Sequence, residues 1–321
     1  MSAILDYFIK QQNEIRQANN ELVLQIIRAF QTLFNRVQPR IETVRLTLEN
    51  NPKITKAQIK RTGAYVDLIA QVGQEIDDFS TYAKVEIDAG NLSAVGLAVA
   101  HLRDFYDMNG IQANIIPPDA ITLLTDLFSP GGELAKRMEL WAPNVVDGVS
   151  NGIIEGVKLG RNPNKIAYDI RKAFGVGLTD AMRTTRTAQL WAYREATRLN
   201  YLANSDIVKG WIWLAALDDH TCMSCVSMHG TLHPLEESQN DHHNGRCTLI
   251  PYIPGVDYGM TNGQDWFDAL DEAQKIKQMG TGKYQAYMDG AFSFDKLSST
   301  YADPVYGIMR AETALKDLVN G

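Results

Sequence analysis

All three cysteines of the chain, and five of its six histidines, fall between His220 and Cys247. The stretch reads Asp218-Asp219-His220-Thr221-Cys222-Met223-Ser224-Cys225, then His229 and His233, then Asp241-His242-His243-Asn244-Gly245-Arg246-Cys247. Soft donors packed this closely suit a zinc site. Cys222 and Cys225, in Cys-x2-Cys spacing, can hold one edge of a tetrahedron, and a histidine with Cys247 can close the other. His242 and His243 are the best fourth ligands, with His229 and His233 in reserve. Three thiolates and one imidazole leave no open position, so such a site would be structural. Structural zinc is worth roughly 10–16 kcal/mol in small finger peptides, enough to hold together a sheet with little core of its own.

Three other readings fit the same residues. The cysteines could be ordinary buried thiols and the histidines surface residues. A redox dithiol at Cys222 and Cys225 would want a thioredoxin-like strand-to-helix setting, which is absent. A nuclease of the His-Asn-His type could use Asp241-His242-His243 as its first box, but its chemistry needs a further metal ligand downstream. No histidine follows His243.

The elements that must position these residues can be read from the pattern. The first two hundred residues are expected to be helical. Val23, Ile26, Ile27, Phe30, Leu33, Phe34 and Val37 repeat at three and four, with Pro39 expected to kink or end that helix. A second helix is expected from Thr55, with Ile59, Val66, Ile69 and Val72 inward, and a third from Leu92 to Tyr106. Pro117-Pro118 opens another, with Ile121, Leu124 and Leu127 on one side, before a loop at Ser129-Pro130-Gly131-Gly132. After Leu159-Gly160-Arg161-Asn162-Pro163 comes a helix lined by Ile166, Ile170 and Phe174, which Gly175 and Gly177 should break. Asp180 is then placed to cap a long helix carrying Arg183, Arg194 and Arg198.

The period changes near Val208. Trp211 and Trp213 share one face of a strand, more simply as core than as a base-stacking platform. Thr231–Leu235 and Thr248–Ile253 are further strands, followed by helices at Trp266–Met279, around Tyr284–Met288 and at Tyr306–Val319. The expected organisation is a helical domain over 1–204 and a small α+β domain over 205–321. The fold class is therefore mostly α, with a short antiparallel sheet at the carboxy-terminal end. Arg183, Arg194 and Arg198 could meet phosphate or an acidic partner, but pairing with local carboxylates such as Asp180 or Glu195 is the simpler reading. Gly282-Lys283 is not a phosphate loop, because Tyr284 follows the lysine.

The whole chain sets bounds. Its 321 residues are 45% hydrophobic and 21% charged, as in ordinary globular proteins. A net charge of -7 and a pI near 5.4 argue against a protein that coats nucleic acid, which needs an excess of Lys and Arg. No basic region ahead of an apolar run marks a signal peptide, and no apolar run of about 18 residues marks a membrane span. With no secretion signal, an odd cysteine count favours reduced thiols and a metal over disulfides.

These residues resemble the phage head morphogenesis, or minor head, proteins of the Mu F-like group. The resemblance is carried by Arg186-Thr187, Arg194, Trp211-Ile212-Trp213, the run from Asp218 to Cys225, His229-Gly230 and the run from His242 to Cys247. It spans roughly Val145 to Met279. Asn240-Asp241 stands where the group usually has Pro-Pro, and Gly245 stands where it often has a further Cys. The register of the resemblance makes His242 the histidine of the set, so the implied zinc ligands are Cys222, Cys225, His242 and Cys247. What it further implies is a non-catalytic, low-copy virion protein at the portal vertex or capsid interior, made in the host cytoplasm. Such a protein would work with portal and major capsid or scaffold proteins, in reach of packaged DNA and without a membrane, in head assembly or genome delivery.

Overall fold

A computed structural model describes residues 3–124 and 132–319. The loop expected at 129–131, and the side chains of Leu124 and Leu127, lie outside the described residues. Among the described residues seven helices come first: α1 (Ala3–Asn50), α2 (Lys56–Ile59), α3 (Gly63–Met108), α4 (Pro118–Leu124), α5 (Glu133–Glu139), α6 (Trp141–Lys158) and α7 (Pro163–Ala203). Then follow β1 (Gly210–Leu214), α8 (Met223–Met228), β2 (Leu232–His233) and β3 (Thr248–Tyr252). The remainder is α9 (Gly263–Asp268), α10 (Glu272–Met279), α11 (Thr281–Met288), a 3₁₀ turn (Phe294–Leu297), β4 (Ser298–Asp303), β5 (Gly307–Glu312) and α12 (Leu315–Val319). The protein is thus mostly helical with small antiparallel sheets. Among the described residues no helix is long and apolar enough to cross a membrane.

The helices are longer than local punctuation suggests. α1 runs through Pro39, where a kink or stop was expected. Ile41, Val44 and Leu48 continue the buried stripe of Val23, Ile26, Phe30, Leu33 and Val37, and that burial offsets the lost backbone bond. The two helices expected at 55–72 and 92–106 are mostly one, α3. Thr55 caps only the short α2, through a reciprocal bond with Gln58. Gly175 and Gly177 do not break α7, and Asp180 sits inside that helix instead of capping it.

The chain forms two compact units, one from residues 1–19, 90–126 and 187–321 and the other from 20–89 and 127–186. Asn204, the boundary expected from the sequence, lies inside the first. The second unit is helical. Its aromatic core includes Phe30 edge-on to Phe79 at 5.1 Å and Phe79 beside Trp141 at 5.9 Å. Glycine lets α6 and α7 approach closely: a Cβ at Gly177 would stand 2.6 Å from Val145 Cγ2. Asp180 accepts from Trp141 Nε1 at 2.9 Å and from Arg137 at 3.1 Å, so its partners are tertiary ones.

The first unit holds the sheet, in the order β2-β1-β3 with all pairs antiparallel. Trp211 pairs with Pro251 and Trp213 with Leu249. Both tryptophans are buried, among Phe8 of α1, Phe105 of α3, Tyr201 of α7 and Leu249 of β3. A second core gathers Met223, Val226, Phe267, Met279, Phe294, Leu297 and Leu318. The helix expected at Tyr306–Val319 is wrong for most of its length. Residues 298–312 form the β4–β5 hairpin, with Tyr301 opposite Met309, and only Leu315–Val319 is helical. Gly307 takes a left-handed φ of 76° at the turn, and the pairing of β5 with β4 supplies the backbone partners that a helix would have supplied.

Candidate metal centre

The Cys-x2-Cys pair sits at the start of α8. Cys222 is the N-cap residue, with extended backbone, and its sulfur accepts from the Cys225 amide at 3.4 Å. This turn aims both sulfurs the same way, because the amide bond to Cys222 curls the loop around its own donor. The other limb is the loop from Asp241 to Cys247, which runs straight into β3. It turns at His242–Gly245, where the Gly245 amide donates to the His242 carbonyl at 2.8 Å and Asn244 takes a φ of 62°. Asn tolerates that left-handed conformation better than most residues.

The two limbs meet. His242 Nε2 lies 3.2 Å from Cys222 Sγ and 3.2 Å from Cys225 Sγ. Bonds of about 2.3 Å to sulfur and about 2.0 Å to nitrogen would put tetrahedral S and N donors about 3.5 Å apart, so this spacing fits a metal ion. The other ring nitrogen, Nδ1, is 2.8 Å from the His243 carbonyl and donates to it in the tautomer that leaves Nε2 a free lone pair. His243 goes elsewhere, to Asp303 at 3.1 Å. Cys247 joins through Cys225: the donor atoms of Cys225, Asp241 and Cys247 lie within 4.8 Å of one another, as do those of Cys222, Cys225 and His242. A cavity of about 50 Å³ opens among them, lined by His220, Thr221, Asn244 and Arg246 besides the three cysteines and His242. It is large enough for an ion and too small for an organic substrate.

The two thiols of the Cys-x2-Cys pair shift in opposite directions. Close approach of the Cys225 side chain holds the Cys222 thiol well below its ordinary range, with His242 adding to the effect. Cys225 moves the other way, raised by the neighbouring sulfurs of Cys222 and Cys247 and then by burial. Burial disfavours a charged His242, but Asp241 and Cys222 outweigh it and raise the imidazole to about 10. A cation placed between the sulfurs would relieve this crowding of negative charge, and binding would displace the imidazole proton.

Two of the other histidines are held by contacts of the fold itself. His229 Nδ1 accepts from the Ala215 amide at 3.0 Å, and His233 lies flat against Trp211 with ring centroids 4.2 Å apart. His220 is exposed on the rim. Arg198 pairs with Glu195, as the local reading expected. Arg194 does not: it crosses to the ligand loop, donating to Asp241 at 3.2 Å, to the Gly245 carbonyl at 2.9 Å and to the Cys247 carbonyl at 2.8 Å. Asp241 is the residue that sequence reasoning did not place in the site. Its adjacency to His242 was the available signal, but nothing local says that its side chain turns inward. Asp218, at the outer edge, is held below the usual carboxylate range by Arg246, with which it forms a two-pronged ion pair.

No curated protein and no solved structure matches the chain. Residues 147–250, which carry α7, β1, β2, the start of β3 and both limbs of the cysteine–histidine cluster, match the model of the family described as Phage Mu protein F like protein, the group that the motifs resemble.

Proposed function

We propose that this chain is a structural protein of a phage head: a minor head protein of the capsid interior or portal vertex. It assists head assembly and genome packaging or delivery. In this reading the cysteine–histidine cluster is a closed zinc site of Cys222, Cys225, His242 and Cys247, which stabilises the fold around β1–β3 and performs no reaction. When bound, the ion supplies cross-linking of the two limbs. Cys222 and Cys225 hold it from the start of α8, and His242 and Cys247 from the loop into β3. The observation that carries the reading is the family match over 147–250, which covers both limbs of the cluster. The small cavity and the donor set support a structural role.

The test is association. The protein would be co-expressed with the portal, major capsid and scaffold proteins of its own phage or prophage, and the assembled heads sedimented. Co-sedimentation in low copy supports the proposal. Heads without the protein, together with magnesium- or manganese-dependent nicking of plasmid DNA by the purified chain, would favour the nuclease reading instead.

A further inference from the structure

Asp241 is one of the most buried charged residues in the first unit, at 1% exposure, and Arg194 beside it is at 3%. Removing such a pair from water costs several kcal/mol per ion, so the pair is a poor device for stability alone. Its geometry points to another use. Asp241 Oδ1 accepts from the Cys225 thiol at 3.3 Å and from the His242 amide at 2.8 Å. Its Oδ2 accepts from the Cys247 amide at 3.3 Å and from Arg194 at 3.2 Å. One carboxylate therefore touches three of the four residues proposed to hold the ion. Arg194, anchored on α7, fixes the far side of the same loop through the Gly245 and Cys247 carbonyls. The loop has closed around the carboxylate with no space to spare: a Cβ at Gly245 would stand 2.0 Å from Asp241 Oδ2.

We infer that Asp241, held by Arg194, is the positioning residue of the centre, setting Cys225, His242 and Cys247 in place before the ion arrives. The inference rests on the metal reading above. Outer partners of metal ligands orient them in this way, and their loss typically weakens binding 10–100-fold. The hydrogen-bonded carboxylate also explains why glycine stands at 245, since any side chain there would displace it.

The experiment is a zinc affinity measurement on the full chain, by competition with a chromophoric chelator, for the wild type, Asp241→Asn and Arg194→Lys. The visible spectra of the cobalt-substituted proteins would be recorded alongside. Asp241→Asn keeps the shape but turns an N–H toward Arg194 or the Cys247 amide. The expected result is affinity lower by about 10–100-fold in Asp241→Asn and about 10-fold in Arg194→Lys, with cobalt bands at unchanged positions. Unchanged affinity in either variant overturns the inference. A shifted cobalt band in Asp241→Asn also overturns it, by making Asp241 a ligand. Should Asp241→Asn fail to fold, Arg194→Lys decides alone. A wild type that binds neither zinc nor cobalt overturns the metal reading itself, a different failure from a wild type and variants that bind alike.

Discussion

His243 Nε2 lies 3.1 Å from Asp303 Oδ2, joining the ligand loop to β4 across 60 residues of sequence. This pairing separates two adjacent imidazoles that look alike in the sequence. His242 turns to the thiols and His243 to the hairpin. The same hairpin holds the loop again where the Arg310 amide donates to the Asn240 carbonyl at 3.0 Å. It holds the α8 limb where the Met223 amide donates to Glu312 at 2.9 Å.

The two histidines should therefore separate in a metal-content measurement. His242→Ala is expected to lose bound zinc, while His243→Ala keeps it and shows faster hydrogen exchange in residues 298–312. Equal zinc loss in both would contradict the assignment of roles.

Elemental analysis of the purified chain should find about one zinc per molecule, and Cys247→Ser should lose most of it, if Cys247 is the fourth ligand as proposed. The variant should also become more sensitive to proteolysis around β1–β3. Zinc content indifferent to Cys247 would remove that cysteine from the site.

Two neighbouring glycines of α7 should respond oppositely to the same substitution. A Cβ at Gly175 meets nothing within 4 Å, so Gly175→Ala should stabilise by roughly 0.5–1 kcal/mol through helix propensity. At Gly177 the Cβ would stand 2.6 Å from Val145, so Gly177→Ala should destabilise by roughly 1–3 kcal/mol. Urea denaturation of both variants checks this, and stabilisation by Gly177→Ala would show that α6 yields more easily than its packing implies.

His229 makes a pH prediction. Burial lowers its pKa from the ordinary 6.5 to about 4. The folded state thus binds fewer protons than the unfolded state between those values, so stability rises with pH there. The contribution is fully present above about 6.5 and is lost as pH falls toward 4. A shift of this size corresponds to about 3 kcal/mol. Unfolding free energies for the wild type and His229→Asn should converge by about that amount between pH 7 and pH 4. Parallel profiles would mean that His229 titrates normally in the fold.

Much of this protein was legible in its residues. Spacing alone marked the stripe of α1, and alternation marked β1. The concentration of Cys and His between His220 and Cys247 marked the cluster, because soft donors rarely gather without a shared partner. Those are local signals, carried by periods of two and 3.6 and by donor chemistry. What the residues could not show was long-range. Pro39, Gly175 and Gly177 look like breaks because local rules price only the backbone, whereas burial against other helices outweighs them. The β4–β5 hairpin was hidden because the backbone partners of each strand come from the other. The register of the resemblance already favours His242, but the turn of His243 toward Asp303 and the inward turn of Asp241 toward Arg194 needed tertiary structure. Adjacent side chains in a turn diverge according to what the rest of the chain brings near them, and Asp303 and Arg194 arrive from 60 and 47 residues away.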